Sequence, residues 1–214
     1  MKKTAENEIA ALTVRYPCLC GCKEDIEKLA RRLIGCFGCG GKLIVCGNGG
    51  SAADAQHIAG ELLKGFCEKR RLPPGERSAL CALGEDGERL AEGLQSPVPV
   101  ISLHGETAFS TAWANDCDPA LVYAQQTYAL CREGDVFLGI STSGNAENVR
   151  LAAVAAKARG AFTAALTGAG GGLLGAVCDV TVAVPETETY KVQELHLPVY
   201  HAVCLCVEKE MFAK

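Results

Sequence analysis

His57 and Glu61 stand four residues apart in SAADAQHIAGELLKGF, a segment with a helical pattern. Residues at i and i+4 share a helix face. An imidazole and a carboxylate so placed can converge on one point, as a proton-transfer pair or as two metal ligands. A solvated surface contact is the plain alternative, and what precedes the pair weighs against it. Gly47-Asn48-Gly49-Gly50-Ser51 lies between an apolar run and the start of this helix, within three turns of the pair. Glycines allow left-handed angles and a close backbone approach. Ser51 is placed to cap the helix and offer a hydroxyl. Free amides and the helix dipole at that point favour an anion. The loop is neither the dinucleotide fingerprint nor a P-loop, since no Lys-Ser/Thr pair follows the glycines.

A second loop repeats the arrangement. The run DVFLGI leads into Ser141-Thr142-Ser143-Gly144-Asn145, after which another helix begins. Three consecutive hydroxyl residues at a strand's carboxyl end suit phosphate oxygens, and ligands of open α/β sheets gather at those ends. A third Gly-rich turn, Thr167 to Gly172, reads as a connection only. The last helical segment carries Gln193, Glu194, His196 and His201, two of the four histidines in the chain. Gln193 and His201 are eight apart, which on an ideal helix means ~80° in direction and ~12 Å along the axis. A kink at Pro198, or a helix that starts after Gln193, would bring them closer. His196 reads either as a packed histidine or as a subunit contact.

These residues need a frame. Five short apolar runs, at 42–46, 99–103, 135–140, 162–167 and 180–184, are bounded by Gly, Pro or Asp. They do not alternate, which describes strands buried on both faces of a parallel sheet. Helical patterns lie between them, at 51–66, 118–131, 145–160 and 190–212. The alternation indicates a parallel α/β sandwich in one domain over 1–214. Residues 5–36 read as one or two helices outside the sheet. Residues 68–97, punctuated by Pro73-Pro74, Pro97 and Pro99, read as an insertion with a polar helical piece at 87–95.

Composition narrows the function. Among 214 residues the formal charge is −4 and no long Lys/Arg run occurs, so no nucleic-acid partner is expected. No apolar run approaches the ~20 residues that span a bilayer. The N-terminus lacks an export pattern, so a cytoplasmic protein without membrane partners is expected. Thirteen cysteines in such a chain are not a disulfide scaffold. Cys18, Cys20, Cys22, Cys36 and Cys39 cluster, but only Cys36 and Cys39 have the spacing of a zinc-ribbon pair.

CGNGGSAADAQHIAGEL, GDVFLGISTSGNAENV, the dipeptide Asn115-Asp116 and VQELHLPVYH together resemble the bacterial phosphoheptose isomerases, within the sugar-isomerase (SIS) domain superfamily, over roughly residues 20–212. The resemblance implies a three-layer αβα sandwich around a five-stranded parallel sheet, flavodoxin-like, with added N-terminal helices. It implies a homotetramer with active sites at subunit interfaces, interconverting sedoheptulose 7-phosphate and glycero-manno-heptose 7-phosphate. By this resemblance Asn48, Gly49, Gly50, Ser51, Asn115, Asp116, Ser141, Thr142, Ser143 and Gln193 bind substrate. Glu61 is the general base and His201 its acid–base partner, while His57, Glu61, Gln193 and His201 hold zinc. No nucleotide cofactor is implied. One departure stands out: Ala146 occupies a position where the family commonly has a further phosphate-contacting Ser.

Two other readings stay open at this level. A non-catalytic relative that associates with a replication initiator shares the loops and the last helix but lacks the matching Glu and final His; Glu61 and His201 are both present here. Another SIS-type enzyme, acting on a different phosphosugar, would share the loops without the full His57, Glu61, Gln193 and His201 set.

Overall fold

The computed structural model describes residues 1–213. Its centre is a sheet of five parallel strands: β1 (Leu43–Cys46), β2 (Val100–Ser102), β3 (Val136–Ser141), β4 (Phe162–Thr167) and β5 (Val180–Ala183), in the order β2-β1-β3-β4-β5. All five fall within the apolar runs read from the sequence, give or take one residue. Their side chains alternate between two cores. Leu43, Val45, Leu138 and Leu166 face one side, and Ile44, Cys46, Phe137 and Ala165 the other. Both faces are therefore covered, which is why the strands carry no polar face of their own.

On the first face lie α2 (Lys23–Gly38), α3 (Gly50–Leu63) and α10 (Thr189–Phe212), with α1 (Lys3–Arg15) laid outside against α10. The opposite face is covered by α7 (Val122–Leu130), α8 (Glu147–Ala158) and α9 (Gly172–Val177). The three layers and the flavodoxin-like strand order are those the sequence leads one to expect. The segment at 68–97 holds two short helices, α4 (Pro74–Cys81) and α5 (Glu85–Gly93), closed at their base by a bridge between Arg71 and Gln95. One further helix, α6 (Thr107–Asp116), buries none of its residues.

Strand order explains where a site can form. Strands β1 and β3 are neighbours, but the chain leaves them towards opposite faces, β1 into α3 and β3 into α8. A crevice opens at such a switch point. The helix α3 stops at Leu63 rather than reaching residue 66. The backbone N–H groups of Phe66, Cys67 and Glu68 instead donate to the carboxylate of Glu208 on α10. Glu208 is fully buried with Arg70. Burial alone would raise its pKa, but the amides of Cys67 and Phe66 and the Arg70 guanidinium outweigh that and hold it below the usual carboxylate range. Arg70 also donates to the carbonyls of Leu62 and Glu61, satisfying the last turn of α3. Removing one partner of so buried a pair costs about 3–5 kcal/mol.

Cysteines serve mainly as small apolar side chains. Cys46, Cys131, Cys204 and Cys206 sit in the two cores, and burial pushes their pKa values up, to about 12 for Cys204. Cys18 and Cys20 are exposed on a 3-10 turn, Pro17–Cys22, and Cys39 is exposed beyond α2. Among the described residues no group of three or more His, Cys, Asp or Glu side chains is arranged to hold a metal ion. Also among them, no helix is long and apolar enough to cross a membrane.

His196 resolves as a packed histidine, wholly buried on α10. Neither ring nitrogen makes a well-formed hydrogen bond. Burial pushes its pKa down to about 4, only partly opposed by the nearby Thr167 backbone. An imidazole in the unfolded chain titrates near ~6.5. Above that pH both states are neutral and His196 adds no pH dependence. Between ~6.5 and about 4 only the unfolded chain takes up the proton, so stability falls on acidification, and below about 4 the effect is complete. The total is roughly 3 kcal/mol. Urea unfolding at pH values across this window should show His196→Leu losing less stability on acidification than the parent by about that amount.

Candidate active site at the switch point

Two adjoining clusters form at the carboxyl edge of the sheet. The first is an open cleft lined by Asn48 to Ser51 from the β1–α3 loop and Ser141 to Ser143 from the β3–α8 loop. Ala146, Thr189 and Gln193 close its sides. The first loop differs in one detail from the sequence reading. Ser51 lies inside the first turn of α3, and the cap is Gly49, whose φ of 56° suits only glycine and which offers no side-chain acceptor. The amides of Ser51 and Ala52 turn back onto the Asn48 and Gly49 carbonyls, both at 3.0 Å, which leaves the Gly50 amide for an anion. Gly50 is needed for another reason: a Cβ there would sit 2.4 Å from Nε2 of Gln193, so the glutamine amide lies directly over the loop.

The two loops are tied together. Asn48 and Asn148 exchange a pair of side-chain amide hydrogen bonds of 2.9 and 3.0 Å. His104 and Tyr123 both bond the Gly47 carbonyl, at 2.8 and 2.9 Å. A carbonyl only accepts, so Nε2 of His104 carries the proton and its Nδ1 accepts from the Ser102 hydroxyl. The Gly-rich turn at 167–172, read from the sequence as a mere connection, is a buttress of the second loop. Gly168 N–H donates to Thr142, Leu174 N–H to Gly144 and Leu173 N–H to the side chain of Asn145. The backbones pack so closely that a Cβ on Gly144 would lie 2.1 Å from the Gly171 oxygen.

The second cluster lies about two turns further along α3. His57 Nε2 is 3.2 Å from Glu61 Oε1 and 3.4 Å from His201 Nε2. The His57 Nδ1 is 3.0 Å from the Tyr200 hydroxyl, which also lies 3.2 Å from Oδ1 of Asp54. Burial lowers the pKa of His201, the His57 charge lowers it further and Glu61 partly opposes both, which leaves a neutral ring able to take or give a proton. Oε2 of Glu61 is buried without a hydrogen bond, with only the Lys64 ammonium at 3.5 Å.

The two clusters keep a fixed relation because α3 and α10 run in the same direction. Gly50 meets Gln193, His57 meets Tyr200 and His201, and the residues just past α3 meet Glu208. Seven residues separate Gly50 from His57, which is about 10 Å of helix. Gln193 is part of the regular helix, and α10 runs uninterrupted through Pro198. Neither way of drawing Gln193 towards His201 is realised, so Gln193 belongs to the anion cleft while His201 belongs to the second cluster. The donor chemistry of His57, Glu61 and His201 suits zinc. Their placement meets it only in part, since no completed ligand group forms among the described residues and Gln193 faces Gly50.

Asn115 and Asp116 are not brought to either cluster. They lie exposed at the end of α6 and bond each other at 2.8 Å. Conversely, sequence reasoning passed over Asp54, His104, Tyr123, Asn148 and Tyr200. Only two carried a signal: Asp54 lies one helical turn before His57, and His104 just beyond the end of β2.

Comparison with known proteins gives the family and the fold. The SIS domain family matches residues 21–81 and 91–168. The chain is 40% identical over 185 residues to a phosphoheptose isomerase of Pelobacter propionicus, covering 86% of this chain and 85% of that one. The phosphoheptose isomerase of Neisseria gonorrhoeae has a similar structure, with a TM-score of 0.71 and 33% identity, over 96% of this chain and 91% of its own. One from Francisella tularensis gives 0.72 and 31%, over 87% and 86%.

Gly144 tests the cleft. Its φ is 68°, and an added methyl would strike the Gly171 carbonyl. Gly144→Ala should cost about 1–3 kcal/mol of backbone strain at the loop. Calorimetric titration with inorganic phosphate should show affinity reduced roughly tenfold or more.

Proposed function

The chain belongs to the SIS domain family, among its phosphoheptose isomerases, and on that footing we propose that it interconverts sedoheptulose 7-phosphate and D-glycero-D-manno-heptose 7-phosphate. The observation that carries the reading is the placement of Glu61, His57 and His201 two turns beyond the anion cleft on parallel helices. An extended chain advances roughly 1.2 Å per bond, so phosphorus and C1 of a heptose 7-phosphate lie about 9–10 Å apart. That matches the ~10 Å between the two clusters.

In the reaction the phosphate rests on the amide of Gly50 and the hydroxyls of Ser51, Ser141, Thr142 and Ser143. The Gln193 amide bonds a sugar hydroxyl. Glu61 removes the proton from the carbon beside the carbonyl, giving an enediol, and returns it to the neighbouring carbon. His201, neutral at working pH, takes the proton from one oxygen and delivers it to the other. The oxygen inventory is unchanged and no redox partner is consumed.

His57, Glu61 and His201 are proposed as a zinc site, to which Gln193, held over Gly50 two turns away, adds no ligand within this arrangement. The ion would stabilise negative charge on the sugar oxygens. The protein is further proposed to be cytoplasmic and a homotetramer with its sites at subunit interfaces. Supporting the assembly, α6 carries Asn115 and Asp116 but buries nothing within its own chain, as expected of a face that a second copy covers. A binding protein without catalysis would have no use for Glu61 and His201 in contact with a common histidine.

Glu61→Gln should abolish conversion of sedoheptulose 7-phosphate, a loss of at least about 100-fold, while sugar-phosphate binding stays within a few-fold of the parent. Coupled turnover and calorimetry measure the two; retained turnover removes Glu61 from the role of base. The same assay after chelation and zinc repletion, with metal content measured, tests the ion.

A further inference from the structure

Tyr200 is a buried phenol with no role in the cleft or in the proton transfers, yet its hydroxyl stands between two side chains of α3. It is 3.2 Å from Oδ1 of Asp54 and 3.0 Å from Nδ1 of His57. A phenol has one proton to give. Burial raises the pKa of Asp54, opposed by the Tyr200 bond and the His57 charge; in its ionised form the carboxylate can only accept, so the Tyr200 proton goes to Asp54. The Tyr200 oxygen is then left as an acceptor, and the only partner that can supply its second bond is the Nδ1–H of His57.

We propose that Tyr200 is a positioning residue which, anchored by Asp54, fixes His57 in the tautomer protonated at Nδ1 and turns a lone pair at Nε2 towards Glu61 and His201. The proposal deepens the reading that this cluster is the proton-transfer end of the site, and rests on that reading for its consequence though not for its geometry. With its proton on the far side, His57 Nε2 accepts from His201 at 3.4 Å. It also confronts Glu61 Oε1 at 3.2 Å with no hydrogen between them. Two lone pairs at that distance leave a place that a proton or a cation stabilises. A ring protonated at Nε2 instead would donate to Glu61 and occupy the base. The Asp54–Tyr200 pair thus keeps the lone pair of Glu61 free for the substrate. The other groups facing His57 do not compete for Nδ1: His201 and Glu61 both lie on the Nε2 side. The edge-on packing of the His57 and Tyr200 rings, 5.4 Å between centroids, holds the two in this relation.

The test uses the full-length protein, chelator-treated and 15N-labelled at histidine, at about pH 8 where imidazole is neutral. Two-bond 1H–15N correlation spectra report the tautomer of each ring, with His57→Gln identifying the His57 signals. The parent should show His57 protonated at Nδ1. Tyr200→Phe removes the acceptor and should shift His57 towards the Nε2-protonated form. Asp54→Ala frees the Tyr200 proton to point at Nδ1 and should shift it the same way, whereas Asp54→Asn, whose side-chain oxygen still accepts, should keep the parent tautomer. In turnover assays kcat should fall about 10- to 100-fold in Tyr200→Phe and Asp54→Ala, with KM changed little. A parent ring protonated at Nε2, or one unchanged in both Tyr200→Phe and Asp54→Ala, overturns the proposal. A tautomer shift in a parent that converts no heptose phosphate would support it and count against the isomerase reading instead.

Discussion

Two helices running side by side in the same direction set the terms for the rest of this molecule. From the carboxyl edge of the sheet, α3 and α10 keep step for most of their length, so each turn of one meets a corresponding turn of the other. Near the sheet the meeting residues are Gly50 and Gln193, and at mid-length Asp54 and His57 meet Tyr200 and His201. At the far end the carboxylate of Glu208 gathers the amides of residues 66–68 together with Arg70. Such a buried ion pair is expensive to assemble and contributes little net stability against apolar replacements. What it provides here is placement. Arg70 bonds the carbonyls of Glu61 and Leu62, so the turn bearing the Glu61 carboxylate is fixed from beneath.

The anion loops show the same economy at the other end. Each glycine-rich segment is held by a neighbour rather than by its own side chains: the first through His104 and Tyr123, the second through the turn after β4, and the two to each other through Asn48 and Asn148. Loops braced in this way present their amides already oriented, and little conformational entropy remains to be lost on binding. The positive φ angles at Gly49 and Gly144 fit this picture, since glycine takes them freely and lets the braced backbones come close.

The frame was largely legible in the sequence. Short apolar runs bounded by Gly and Pro mark buried parallel strands, and the five runs became the five strands because the physics that places them is local. Both anion loops were legible for the same reason, as was the pairing of His57 with Glu61 on one helix face. What the sequence withheld depends on contacts between distant segments. Tyr200 looks like an ordinary core aromatic until α10 is laid along α3. The glycines at 170–172 look like a loose connector until the loop at 141–145 is set against them. Gln193 and His201 appeared to need a common point; the regular helix keeps them two turns apart, and the cleft and the histidine cluster each claim one. The end of α3 was misjudged because the reason for its stop, Glu208, lies far along the chain.

Among the described residues, none of those lining the anion cleft is Lys or Arg. A guanidinium grips an anion through a full charge and keeps much of that attraction as the ligand shifts or turns. Amides and hydroxyls hold by direction, and their pull fades once the oxygens leave their line. A neutral cradle of this kind sorts its visitors by shape more than by charge. It also gives up a departing sugar phosphate readily, which suits a reversible catalyst whose two end states carry the same handle and must both be free to go.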